Sequence, residues 1–250
     1  MLTGRRALVT ASSRNLGADI ARALASHGAS VVVTYHSSRA EAEQLVAELK
    51  GTSDGRHVAV RGDFATTVGV RAAVTEAIDA AGGGIDILVN NYGPFSMVPW
   101  RELPEQEWEA VLTGNLTAAY LASQLVLPQM QTAGWGRIVN LSAGSAYLRN
   151  HSIYGLAKAA VATFTESLAL EVGPEVTVNA IAPGQIAESA PDISAVDPTF
   201  VARAVQRTPA GRLVTRGQVA GLVALLCTPA FDMLTGAVLP LDGGWRFNRF

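Results

Sequence analysis

The chain of 250 residues is 49% hydrophobic and 16% charged, with a formal net charge of −2 at pH 7. That balance excludes a disordered or fibrous chain, and the missing basic excess speaks against nucleic acid or an anionic membrane as partner. The single cysteine, Cys227, excludes an intramolecular disulfide framework, and His27, His36, His57 and His151 never stand at ligand spacing, so no metal site is expected. The start "MLTGRRALVTA" has no long apolar core behind a charged segment, and no run of about 18 apolar residues occurs. A cytoplasmic chain folding as one domain, 1–250, is expected.

Short β-rich runs alternate with helical periods along the chain. "RALVTA" (6–11) reads as a buried strand, and "LGADIARALASHG" (16–28) as a helix stopped by Gly28. "SVVVTY" (30–35) is the next strand. "SRAEAEQLVAELKG" (38–51) is a helix with Ser38 as N-cap and Gly51 as stop. Strands follow at 57–63, 86–91, 137–142, 176–183 and 236–244, with the longest helices around 105–131 and 152–172. Several strands are nearly continuous apolar runs, as in parallel sheets covered on both faces. The pattern predicts an α/β fold, a single doubly wound (Rossmann) mostly parallel sheet with helices on both faces.

In such sheets ligands bind outside the carboxyl ends of the strands, near the point where strand order reverses. The first strand–helix turn is "TASSRNLG" (10–17). It is expected to bring backbone N–H groups and a helix N-terminus to a pyrophosphate. Gly17 allows close approach of helix to sheet, Asn15 tolerates positive φ, and Ser12 and Ser13 add hydroxyl donors.

Eight motifs in this order resemble the short-chain dehydrogenase/reductase family: "TASSRNLG", "GDF" (62–64), "NNYG" (90–93), "GNL" with Asn115, "RIVNLS", "YGLAK", "VNAIAPG" (178–184) and "LPLDGG". The resemblance spans nearly the whole chain. It implies a nicotinamide dinucleotide and hydride transfer, with Asp63 and Phe64 at the adenine, Asn90 lining the cofactor and Ile186 at the nicotinamide carboxamide. The full cofactor set expected is Ser12, Ser13, Arg14, Asn15, Leu16, Gly17, His36, Ser37, Arg39, Asp63, Phe64, Asn90, Tyr154, Lys158 and Ile186. No acid follows the second strand. His36, Ser37, Ser38 and Arg39 stand there instead, and with Arg14 they suit a 2′-phosphate, so NADPH is expected rather than NADH.

Tyr154 and Lys158 stand four apart and share a helix face. A nearby ammonium lowers a phenol from its usual value of about 10. Arginine outnumbers lysine 17 to 2, a bias that favours a specific use for a lysine placed here over a stray one. In the family the lysine also binds the nicotinamide ribose, and an asparagine, here Asn115, joins a water-linked proton relay. The serine that polarises the substrate carbonyl is missing: Ala143 stands in its slot in "IVNLSA". Ser142 is adjacent but of opposite strand parity, Ser145 shares the parity of Ala143, and Tyr147 is a third candidate. Glu188 stands where a threonine often helps hold the cofactor, so that loop is expected to sit differently.

The expected reaction is reduction of a ketone or aldehyde to an alcohol. The alternatives are a C=N or C=C reductase resembling pteridine reductases, or a cofactor-binding scaffold with little catalysis. Tyr92, Pro94, Phe95, Trp100 and the segment 185–200 point to a partly aromatic pocket for a small-molecule substrate. The two apolar helices suit self-association, and the family is commonly tetrameric. No lysine or arginine occurs in 102–136 or 159–202, so those helices offer no cationic face to an acidic carrier protein.

Overall fold

A computed structural model describes residues 1–147 and 152–247; Arg149 and His151 lie outside them. Seven strands form one parallel sheet: β1 (Arg6–Val9), β2 (Ser30–Tyr35), β3 (Val58–Arg61), β4 (Ile87–Asn90), β5 (Gly136–Leu141), β6 (Val176–Pro183) and β7 (Val238–Leu241), in the order β3-β2-β1-β4-β5-β6-β7. Order reverses between β1 and β4, which places the ligand crevice at their carboxyl ends.

The helices are α1 (Asn15–Ser26), α2 (Arg39–Thr52), α3 (Thr67–Ala80), α4 (Glu105–Leu112), α5 (Ala118–Thr132), α6 (Ile153–Val172), α7 (Ala190–Val196), α8 (Phe200–Arg207) and α9 (Arg216–Leu226). Strand side chains alternate between two cores. Val9, Val33, Val89, Val139 and Ile181 pack with Ile20 and Leu24 of α1 and Val219 and Val223 of α9. Leu8, Val32, Leu88, Ile138 and Val178 pack on the other face with Val70 and Val74 of α3 and Leu121 and Val126 of α5. Burial on both faces is why the strands read as unbroken apolar runs.

Several local expectations are corrected. The helix over 38–51 runs through Gly51 to Thr52. Ser38 makes no side-chain cap; its hydroxyl instead lies 2.7 Å from that of Ser13. The long helix over 105–131 is interrupted by a π-helical turn at Thr113–Thr117. Glu105–Thr132 is long and apolar enough to pass for a membrane span, yet half of that window is buried, and α5 packs on α3, β4 and β5 as a core helix.

Candidate active site

The crevice at the switch point is sewn shut at its base. Thr10 Oγ1 accepts the backbone N–H groups of Asn91 and Tyr92, each at 2.9 Å. Asn91 Nδ2 donates back to Thr10 O at 2.9 Å and Ala11 O at 3.1 Å. Asn91 lies inside "NNYG" and braces the loop, a role that reading the motif as a cofactor contact did not bring out. Asn90 is the correction. Its amide turns into the sheet, donating to Asn140 Oδ1 at 2.8 Å, and Asn140 in turn donates to Thr165 Oγ1 at 2.9 Å.

The loop itself has the shape of a glycine-rich turn made without most of its glycines. Ala11 and Asn15, which stand where the family pattern has glycine, have φ of 53° and 52°. A Cβ on Gly17 would lie 2.3 Å from Ala11 O and 2.8 Å from Asn91 Nδ2, so only glycine fits there. Ser12 corrects a second expectation. It is fully buried, donates to Val9 O at 2.7 Å and accepts Thr34 N–H at 2.9 Å, so its hydroxyl holds β1 to β2 and does not face the crevice. Ser13 is tied to Ser38, which joins the loop to the segment after β2.

A pocket of about 140 Å³ opens beside the end of β2, lined by Ala11, Thr34, Tyr35, His36, Gly62, Asp63, Phe64, Ala65 and Tyr92. Asp63 accepts Ala65 N–H at 2.8 Å and the Thr66 hydroxyl at 3.2 Å, which fixes its carboxylate. Arg14 borders the phosphate loop on the side of α2. Arg39 is exposed and pairs through Nε with Glu43 at 2.7 Å. Ile186 forms a single bridge to Val214. Glu188 accepts Arg216 N–H at 3.0 Å, so its charge sits at the N-terminus of α9, where an anion is favoured.

The chemical end is built on α6. Ser152 caps it by accepting Gly155 N–H at 3.1 Å, which starts the helix just before Tyr154. One turn later Lys158 is buried, with Nζ 5.5 Å from the Tyr154 ring centroid and donating to Leu141 O at 2.6 Å. Burial pushes the Tyr154 phenol up to about 12 and the Lys158 ammonium down to about 8.

The π-helical turn carries Asn115 into this centre. Its Nδ2 donates to Pro94 O and Val111 O, both at 2.9 Å, while its buried Oδ1 has no partner among the described residues. Such turns recur at functional sites because they re-aim one side chain in an otherwise regular helix. A Cβ on Gly93 would lie 2.2 Å from Asn115 Oδ1 and 3.2 Å from Lys158 Nζ. The two groups therefore meet over a bare Cα.

Ala143 is extended, and Gly144–Ala146 then form one 3₁₀ turn. Ser142 keeps strand parity and donates to Lys158 O at 2.8 Å. The Ser145 hydroxyl is buried with no partner among the described residues. Tyr147 directs its hydroxyl to Val238 O at 3.4 Å. Phe95 stands edge-on to Tyr154, with ring centroids 4.9 Å apart.

A dinucleotide fits these residues. The left-handed loop at the N-terminus of α1, the pocket beside the end of β2, and the Asn115 Oδ1 that has no partner among the described residues leave donors and acceptors for it. The family model described as Enoyl-(Acyl carrier protein) reductase matches residues 10–246. D-beta-hydroxybutyrate dehydrogenase of Cupriavidus necator is 31% identical, over 98% of this chain and 99% of that one. The structure of gluconate 5-dehydrogenase from Burkholderia cenocepacia, in complex with NADP and tartrate, is 30% identical with a TM-score of 0.90, covering 99% of this chain and 97% of that one. A 7 alpha-hydroxysteroid dehydrogenase complexed with NADH is also 30% identical with a TM-score of 0.90, covering 97% and 94%.

Proposed function

The chain belongs to the short-chain dehydrogenase/reductase family and is an NAD(P)-dependent oxidoreductase, and we propose that it uses NADPH to reduce a ketone or aldehyde to an alcohol. The convergence of Asn115 and Lys158 over Gly93, one helical turn from Tyr154, carries this reading. When bound, NADPH supplies the hydride. Tyr154 gives the proton to the substrate oxygen. The Lys158 ammonium favours the phenolate left behind, against the burial that opposes it. Asn115 Oδ1, which has no partner among the described residues, accepts a hydrogen bond from the water that returns the proton. Ser145, whose hydroxyl has no partner among the described residues, takes the place of the serine missing at Ala143 and donates to the substrate oxygen. Ser142, already bonded to Lys158 O, holds the lysine.

Ser13, Arg14, Asn15, Leu16 and Gly17 would hold the pyrophosphate. His36, Ser37 and Arg39 with Arg14 would hold a 2′-phosphate, with Asp63 and Phe64 at the adenine and Ile186 at the nicotinamide. The substrate is a free small molecule entering a partly aromatic pocket. We place the enzyme in the cytoplasm as a single-domain homotetramer, joined by outer faces of α5 and α6 that leave Tyr120, Leu156 and Leu170 exposed. NADPH oxidation measured against ketones, aldehydes, imines and enones tests the reading. Turnover of carbonyls is expected; turnover of imines or enones alone would transfer the assignment to the pteridine-reductase-like reading, and turnover of none to a scaffold.

A further inference from the structure

We propose that the carbonyl substrate carries an aryl or similarly flat apolar group, seated on Phe95; this rests on the reduction reading above. The segment after β4 is pinned at its root. Pro94 O accepts Asn115 Nδ2, and the Pro94 ring packs over Gly114, where a Cβ would meet it at 2.4 Å. Ser96 is buried and its Oγ accepts Val98 N–H. Between and beyond these anchors Phe95 and Met97 point the other way, 67% and 56% exposed. The alternation is that of an extended run with one face turned to the protein.

Phe95 is therefore a large ring left mostly in water, yet one edge of contact falls on Tyr154 itself, at 4.9 Å and 68°. Phe95 thus stands against the ring that carries the proton-donating hydroxyl. Trp100 stands further along the same segment, 45% exposed, 6.3 Å from Trp108. Clustered exposed apolar side chains mark a binding surface. Aromatic rings at centroid spacings of roughly 4.5–7 Å attract beyond the burial of their area, so an aryl group profits from Phe95 more than an alkyl group does.

The test compares an aryl methyl ketone with 2-butanone on the NADPH-saturated enzyme. The aryl ketone is expected to have the higher kcat/KM, and Phe95→Ala to cut the aryl-to-alkyl ratio about tenfold, chiefly through KM, with Phe95→Tyr restoring it. Quenching of tryptophan fluorescence by the aryl ketone gives binding without turnover and should weaken in Phe95→Ala. If neither ketone is reduced, the reduction reading fails, and the fluorescence titration still decides this one: equal binding to wild type and Phe95→Ala overturns it. Reduction of both ketones with an unmoved ratio overturns it while the reduction reading stands. A variant that changes the mass of the assembly in sedimentation but leaves the ratio unmoved gives the patch to a second copy of the chain, and also overturns it.

Discussion

Ser142 and Lys158 hold each other across the junction of β5 and α6. The serine hydroxyl donates to the lysine carbonyl at 2.8 Å, while the lysine Nζ donates to the carbonyl just before the serine, Leu141 O, at 2.6 Å. The strand end and the second turn of α6 are thereby latched at one residue. A hydroxyl spent in this way is not free for a substrate oxygen, and the hydroxyl in the same segment that has no partner among the described residues belongs to Ser145.

Ser145→Ala should lower carbonyl reduction roughly 10²–10³-fold, the usual loss when one donor to a developing oxyanion is removed. Ser142→Ala should cost about 1 kcal/mol of stability and less rate. Steady-state kinetics with denaturation on both variants checks this. A Ser145→Ala enzyme with wild-type rate would leave the substrate oxygen without a serine donor, and Ala143→Ser would then show whether the natural substrate needs one.

Burying the Lys158 ammonium opposes folding, a cost that its bond to Leu141 O offsets only in part. Its value of about 8 lies below the unfolded value of about 10.4, so below pH 8 both states hold the proton and folding must bury a charge. The penalty is full below pH 8 and fades as pH rises towards about 10.4. Lys158→Met should therefore abolish turnover yet stabilise the cofactor-free protein by about 2 kcal/mol at pH 7, with most of the gain gone by about pH 9.5. Urea denaturation at the two pH values measures it; a variant less stable than wild type at pH 7 would contradict it.

Ala11 carries the strain of a turn shaped for glycine, at φ 53°. An L-residue other than glycine pays about 1–2 kcal/mol in that region, part of which glycine returns as unfolded-state entropy. Ala11→Gly should raise the urea midpoint by the equivalent of about 0.5–1 kcal/mol with an unchanged slope. Asn15→Gly should gain less, because asparagine enters the region more readily. An Ala11→Gly midpoint at or below wild type would show that the loop relaxes around alanine.

Arg14 and Arg39 are the cations proposed to hold a 2′-phosphate. Replacing either with alanine should narrow the preference for NADPH over NADH roughly tenfold or more, as charge-assisted bonds to phosphate are lost. Dissociation constants for both cofactors provide the check. Equal wild-type affinities would remove the basis for an NADPH enzyme.

Most of the sheet was legible because its signals are local. β2 and β6 occupy the residues read from their apolar runs, 30–35 and 176–183, and the shared helix face of Tyr154 and Lys158 follows from their spacing, while the roles proposed for them come from the family resemblance. The π-helical turn at Thr113–Thr117 was not legible, because one inserted residue shifts the apolar face by about 100°, and a segment as apolar all round as "VLTGNLTAAYLA" has no distinct polar face in which to see the shift. The inward turns of Ser12 and Asn90 depend on Thr34 and Asn140, 22 and 50 residues away, and nothing in a short window reports such partners. The choice between Ser142 and Ser145 had the same origin: parity pointed to Ser145, but only the position of α6 shows what engages Ser142.

The central claim is that Tyr154 delivers the proton to a carbonyl oxygen. Single-turnover NADPH oxidation by Tyr154→Phe, with cofactor binding titrated on the same sample, tests it most directly. NADPH should still bind, and the rate with a carbonyl substrate should fall roughly 10²-fold or more. A phenylalanine variant that binds NADPH and reduces the carbonyl at close to the wild-type rate would contradict it.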